Sequence, residues 1–263
     1  MIELDHITSS DDTPIAVWRS GSGPGLVLVH GTTADHTRWA KVAAGFEERF
    51  TVYTVDRRGR GSSGDAIAYS LIQEADDIVA VLDRIGTTVN LLGHSYGALC
   101  CIEAALRTRR LRRLVLYEPP IPAGLEIVPP GTSAKLDQLI ERNEREAALC
   151  TFFREVVRVP EAQLQVMRSD PAWPARLAAA HTVAREIRFQ TGYRLDMQKL
   201  QTMRTPTLLL LGEDSPSFFH EATKQLHVGL PDNRIYKFHG QQHVAMDMIP
   251  DEFVRVVVEF LLA

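Results

Sequence analysis

The chain of 263 residues is 45% hydrophobic and 24% charged, enough apolar material for one large α/β domain, alone or carrying an insertion, rather than two independent domains. Its 29 Lys and Arg against 33 Asp and Glu leave a formal net charge of -4, so no basic field exists to hold a phosphate backbone or an anionic bilayer, and neither nucleic acid nor membrane is expected as a partner. Cys100, Cys101 and Cys150 lack the spacing of a disulfide framework or a zinc site and are expected to be reduced and buried. The acidic start at 1–6 lacks the basic and apolar regions of a secretory signal. Apolar runs such as 207–211 fall far short of the roughly 20 residues a membrane helix needs, and a cytoplasmic location is expected.

Segments 2–8 and 15–19, separated by the turn-forming Ser9-Ser10-Asp11-Asp12-Thr13-Pro14, read as an antiparallel hairpin at the edge of a sheet. The continuous apolar runs 26–29, 52–55, 89–92, 114–117 and 208–211 read as strands buried on both faces of a parallel sheet. Between them, 39–50, 71–85 and 96–107 carry apolar residues at helical spacing, so the alternation predicts a mostly parallel, doubly wound α/β sheet. The rhythm breaks between Tyr117 and Thr207, where 132–159 and 161–194 look helical with no strand between them. An inserted helical cap is therefore expected over 121–204, with the core formed by 1–120 and 205–263. A Pro-rich linker leads into this cap, and Pro160, Pro171 and Pro174 limit its helices. Residues 234–238 close the sheet as a last strand, followed by an amphipathic helix from about 251 to 262.

The chemistry concentrates at Asn90-Leu91-Leu92-Gly93-His94-Ser95-Tyr96-Gly97-Ala98, where a buried strand runs into a helix through Gly-x-Ser-x-Gly. A turn that sharp holds Ser95 in strained geometry above the sheet and requires small neighbours two positions away, which accounts for Gly93 and Gly97. Tyr96 opens the following helix, so its N–H, at the positive end of the helix dipole, is a donor for an oxyanion. A chance Gly/Ser turn is the competing reading; the strand before and the helix after argue against it.

On these residues the sequence resembles the α/β-hydrolase superfamily, over nearly all the chain except the cap. His30-Gly31-Thr32-Thr33 resembles that family's oxyanion loop, with Trp39 at the usual distance, and the resemblance implies that the Thr32 N–H joins that of Tyr96. His30 is expected to orient backbone rather than move protons. Asp56-Arg57-Arg58-Gly59-Arg60-Gly61-Ser62-Ser63 resembles the next loop of the family, where Asp56 ties loops together and the arginines suit an ion-pair network at least as well as an anion site. Gly240-Gln241-Gln242-His243 matches the family's Gly-x-x-His, which implies His243 as the base that takes the Ser95 proton. His239, four residues earlier, is read as a strand residue, packed or half exposed.

The acid departs from the common pattern. The family usually places an Asp three residues after the Gly ending the seventh strand, and here Ser215 stands there. Asp214 serves if the loop is one residue shorter. Glu118, at the end of the sixth strand, occupies the place from which some members, certain haloalkane dehalogenases among them, supply the acid. Glu118 is preferred because its register needs no adjustment and Pro119-Pro120 stiffens the chain behind it; Asp214 is retained as the alternative.

The resemblance implies a serine hydrolase of carboxylic esters or lactones, needing no metal or organic cofactor, with a small-molecule substrate; a homodimer is left open. C–C bond hydrolases, thioesterases and perhydrolases use the same machinery, and a ligand receptor on the same fold is the reading from another class. Phe152, Phe153, Met167 and Trp173, with Leu139, Leu164 and Phe189, are candidates for an apolar pocket wall, against the plainer reading that they form the core of the cap. Partly apolar substrates are expected, while Arg154, Arg158, Arg185 and Arg188 keep an acidic group in play.

Overall fold

In the computed structural model, residues 2–263 are described. Eight strands form one sheet: β1 (Glu3–Thr8), β2 (Pro14–Gly21), β3 (Gly25–Val29), β4 (Thr51–Val55), β5 (Val89–His94), β6 (Leu111–Tyr117), β7 (Thr207–Gly212) and β8 (Asn233–Phe238), in the order β1-β2-β4-β3-β5-β6-β7-β8. β2 pairs antiparallel with β1 and with β4, and from β4 through β8 every pairing is parallel. The register sets Val29 beside Gly93 and His94 beside Tyr117, so that the carboxyl ends of β3, β5 and β6 come level. Strand order reverses about β3, and such a switch point opens a crevice at the carboxyl ends of an α/β sheet.

The apolar runs bury both faces. α2 (Leu71–Ile85), α3 (Tyr96–Ala105) and α10 (Ser217–Gly229) cover one, packing Ile78, Leu99 and Leu226 against Val27, Leu91 and Leu209. α1 (Ala40–Glu47) and α12 (Pro250–Leu262) cover the other, packing Phe46, Phe253 and Val257 against Leu28, Leu92 and Leu210. α2 follows its Ser70 N-cap and stops at Gly86, which takes the left-handed φ of 78° that glycine adopts freely. Cys100, Cys101 and Cys150 are free and buried.

Between β6 and β7 the chain forms α4 (Thr132–Glu141), α5 (Arg145–Thr151), a π-helical turn (Phe152–Val157), α6 (Glu161–Arg168), α7 (Trp173–Ala179), α8 (Val183–Gly192) and α9 (Met197–Thr202). The helical stretch expected over 132–159 is broken at Asn143, which takes a left-handed φ of 57° that Asn tolerates better than most side chains, and ended by Arg158 with φ 62°. Leu136, Leu149, Leu164 and Ile187 share a separate apolar core here, which extends to Phe218 and Phe219 of α10. Among the described residues no helix is long and apolar enough to cross a membrane.

Candidate active site

Ser95 follows the last residue of β5 and precedes α3, with φ 56° and ψ -127°, a region costly for any residue with a side chain. The turn closes because Gly97 presses against β3: a Cβ there would meet the His30 and Val29 carbonyl oxygens at 2.3 and 2.5 Å. At Gly93 a Cβ would lie 2.7 Å from the Ala98 backbone. The Ser95 N–H donates to Tyr117 O, stitching the turn to the neighbouring strand end. Gly31 abuts the nucleophile position, since a Cβ there would stand 2.8 Å from that of Ser95.

His30 behaves as a backbone-orienting residue. It is fully buried; its Nε2 accepts from the Arg57 N–H at 3.1 Å, so Nδ1 carries the proton and donates to Gly31 O at 2.8 Å. Burial, then the charges of Arg57 and Arg60, pull it down to about 3, which keeps it neutral. In a planar trans peptide C=O and N–H point opposite ways, so holding the Gly31 carbonyl on the imidazole turns the Thr32 N–H away from it. Among the described residues neither the Thr32 nor the Tyr96 N–H donates to a backbone carbonyl outside regular elements.

His243 lies in the loop after β8, and its Nδ1 meets Glu118 Oε2 at 2.6 Å. Glu118 is fully buried at the end of β6, with a left-handed φ of 46°, and its Oε1 accepts from the Gly212 N–H at 2.6 Å. One carboxylate oxygen is thus fixed by the end of β7 while the other faces the imidazole. Asp214 is exposed and makes no side-chain contact with His243; its N–H is spent on Gln241 O. Ser215 is buried with its Oγ unpartnered, so the position after β7 offers a hydroxyl where the resemblance places a carboxylate. His239 departs from expectation: the strand ends at Phe238, and the ring is 96% exposed, paired only with Glu213.

Sequence reasoning missed what holds the base-bearing loop. His94 Nε2 donates to His243 O at 2.9 Å, and the Tyr117 hydroxyl donates to Gln242 O while accepting from the Ala245 N–H at 2.9 Å. His94 and Tyr117 are cross-strand partners, each the residue immediately before Ser95 or Glu118. The side chains preceding Ser95 and Glu118 therefore clamp the loop that carries His243. Burial, then the nearby His243, holds His94 well below the ordinary histidine range, leaving a neutral ring that donates through Nε2 alone. Phe219 of α10 stacks on His243 with centroids 4.5 Å apart and planes at 15°. The pairing of residues 94 and 117 is the signal that points to this clamp, and it exists only once strand register is known.

Ser95 Oγ makes no hydrogen bond to His243; such contacts commonly tighten only when substrate is bound. His243 lies against the residue before Ser95, its ring centroid 4.6 Å from that of His94. Of the expected pocket wall, Phe152, Phe153 and Trp173 are buried in the cap core and Met167 is half buried at its edge, while Phe189 is exposed against Tyr69. That core reaches the site through Phe219. A cavity of about 620 Å³ lies elsewhere, between the 121–128 linker and the end of α8, and touches none of Ser95, Glu118 and His243.

The arginine loop is a buried ion network. Arg57 pairs with Glu74 at 2.5 Å and with Glu186 of α8, Arg60 also pairs with Glu186, and Arg58 pairs with Asp77 and Asp11 at 2.7 and 2.8 Å. Asp56 binds the His36 and Ser62 N–H groups, the His36 ring and the Trp18 indole, tying the segment after β3 and strand β2 to its own loop. Asp35, His36 and Asp56 stand close enough to resemble a metal site, yet both Asp56 oxygens are already taken by two protein donors each.

Comparison with known proteins places this geometry in a class. The alpha/beta hydrolase family profile matches residues 26–256, and the chain belongs to that family. It is similar to a crystal structure of an alpha/beta hydrolase from Sphaerobacter thermophilus, with TM-score 0.87 and 33% identity over 97% of this chain and 99% of that one. It is 26% identical to a pimeloyl-[acyl-carrier protein] methyl ester esterase of Nitrosomonas europaea, over 91% of this chain and 96% of the relative. A Mycobacterium tuberculosis protein called a probable oxidoreductase EphD is 36% identical over 100 residues, but this chain spans only 17% of its length.

Proposed function

We propose that the chain hydrolyses carboxylic esters, lactones included, through an acyl-enzyme on Ser95. His243 Nε2 takes the Ser95 proton as Oγ attacks the carbonyl carbon. The oxyanion that forms accepts from the N–H groups of Thr32 and Tyr96. Glu118 steadies the imidazolium through Nδ1. Collapse expels the alkoxide, which leaves with the proton from His243; water then delivers its proton to the same nitrogen, attacks the acyl carbon and frees the acid. No step calls for a cofactor.

The observation that carries this reading is the buried Glu118 carboxylate 2.6 Å from His243 Nδ1, behind a serine held at φ 56°. Ser95 and Glu118 are two of the seven non-glycine residues held at positive φ among the described residues, and both carry the proposed chemistry, as backbone strain stored at a working site would have it. The esterase among the relatives supports the choice of ester over other acyl bonds.

A fluorophosphonate probe and a series of p-nitrophenyl esters and lactones test it. Wild-type protein is expected to label at Ser95 and turn over, with Ser95→Ala and His243→Ala both inert. A folded wild-type protein that neither labels nor cleaves any ester would sink the proposal and favour a ligand receptor.

A further inference from the structure

Among the described residues of the cap, Arg142, Arg145, Arg158, Arg194 and Arg204 lack a carboxylate partner but are exposed, whereas Arg176 lacks one while half buried. Arg154, Arg168, Arg185 and Arg188 each hold a carboxylate at 2.9 Å or closer. Arg176, half buried on α7, has none; its one hydrogen bond runs from Nη1 to Thr33 Oγ1 at 3.0 Å. Among the described residues its Nε and Nη2 reach no protein acceptor, and neither is sealed from solvent. The nearby acids are engaged elsewhere: Asp247 with Arg38 at 2.8 Å, Asp35 with the Thr37 N–H at 2.9 Å, and Asp170 with the Ala172 N–H at 2.8 Å. Below the guanidinium lies the ring of Phe153, 5.7 Å from Cζ, which supports the fork's face and leaves its edge free. Burial, then the charge of Arg38, draws Arg176 below the ordinary arginine range without neutralising it.

The placement matters more than the lack of a partner. Thr33 adjoins Thr32 and is two residues from Gly31, which abuts Ser95, so at about 3.8 Å per residue the chain path holds the fork to the same short loop, within roughly 15 Å of Ser95. A half-buried cation with a free bidentate edge at that place is a ready receptor for an anion, which would replace water on Nε and Nη2. The geometry points to Arg176 as the receptor of a substrate carboxylate, so that the esters cleaved at Ser95 carry a second, free carboxylate a few atoms from the scissile bond. Half-esters of short dicarboxylic acids fit: one guanidinium answers one negative charge. This deepens the ester hydrolysis proposed above and rests on it, and it takes up the acidic group kept in play beside the expected partly apolar substrates.

The test compares mono-4-nitrophenyl glutarate with 4-nitrophenyl pentanoate, acyl groups of equal carbon number. Wild type is expected to prefer the glutarate in kcat/KM by about 10-fold or more, mainly through KM. Arg176→Gln is expected to cut that selectivity ratio by about 10- to 100-fold, Arg176→Lys to retain part of it, and the surface control Arg188→Gln to leave it intact. No preference in wild type, or equal losses on both esters in Arg176→Gln, overturns the inference, the second result showing a merely structural arginine. Calorimetric titration with glutarate alone reads the same site without turnover. Binding that disappears in Arg176→Gln upholds the carboxylate site even if ester hydrolysis fails, and absence of binding overturns it whether or not the protein cleaves esters.

Discussion

Two carboxylates compete on paper for the place behind His243, and their surroundings separate them. Glu118 is fully buried, with both oxygens hydrogen-bonded, whereas Asp214 is exposed. Glu118→Gln is expected to lower kcat by about 10³- to 10⁴-fold, because the amide no longer favours the imidazole tautomer and charge that the reaction needs. Asp214→Asn is expected to stay within about 3-fold of wild type, since it alters only a solvated side chain. Steady-state kinetics on one p-nitrophenyl ester decides between them, and a dead Asp214→Asn beside an active Glu118→Gln reverses the assignment. Tyr117 tests the clamp. Tyr117→Phe leaves the Ala245 N–H without its buried acceptor and frees the Gln242 carbonyl, at a cost of about 1–3 kcal/mol, so both the urea midpoint and kcat are expected to fall.

At the scale of elements, the cap is fastened to the core by charge. Glu186 on α8 reaches down to Arg57 and Arg60 in the loop after β4, all three buried. Arg57 also stacks on Tyr96, 4.9 Å from Cζ to the ring centroid, so the same cation touches the first residue of α3, next to Ser95. Removing one partner of a buried ion pair costs far more than the pair contributes, since a cation is left desolvated. Glu186→Leu is therefore expected to destabilise the protein by about 3–5 kcal/mol in urea unfolding, with amide exchange in α5 through α8 rising first. Uniform exchange across core and cap would show that Glu186 does not fasten the cap.

For the whole molecule, the same network sets the response to acid. Burial alone raises the Glu74 carboxyl, but Arg57 and Arg60 outweigh it and hold it at about 2; Asp56 is likewise held at about 2, with its donors overcoming burial. These groups sit below their unfolded values of 4.5 and 3.8, so their contribution is complete above about pH 4.5 and drains away as the pH falls toward 2. Asp77, raised by burial despite Arg58, opposes this with the other sign and softens the loss. Thermal midpoints are expected to begin falling below about pH 6.5, where His30 and His94 stay neutral in the fold while unfolded histidine takes up a proton, and to drop more steeply below about pH 4.5; a flat profile down to pH 3 would contradict the network's role.

Local patterning along the chain accounts for part of the molecule. Apolar runs of strand length define a buried parallel sheet, Gly-x-Ser-x-Gly between strand and helix defines the serine turn, and Gly-x-x-His places an imidazole in the last loop, because each needs only neighbours along the chain. Tertiary structure decided the rest. The choice of Glu118 over Asp214 depends on which strand end faces a ring 125 residues away, and the His94 and Tyr117 clamp depends on register between β5 and β6. The side chains expected to wall a pocket went into the cap's own core, while Arg176, which nothing in its local sequence marks, came to rest on the oxyanion loop 143 residues distant. The direction a cap helix faces is settled by packing against partners remote in sequence, and helical periodicity cannot say which partner will be there.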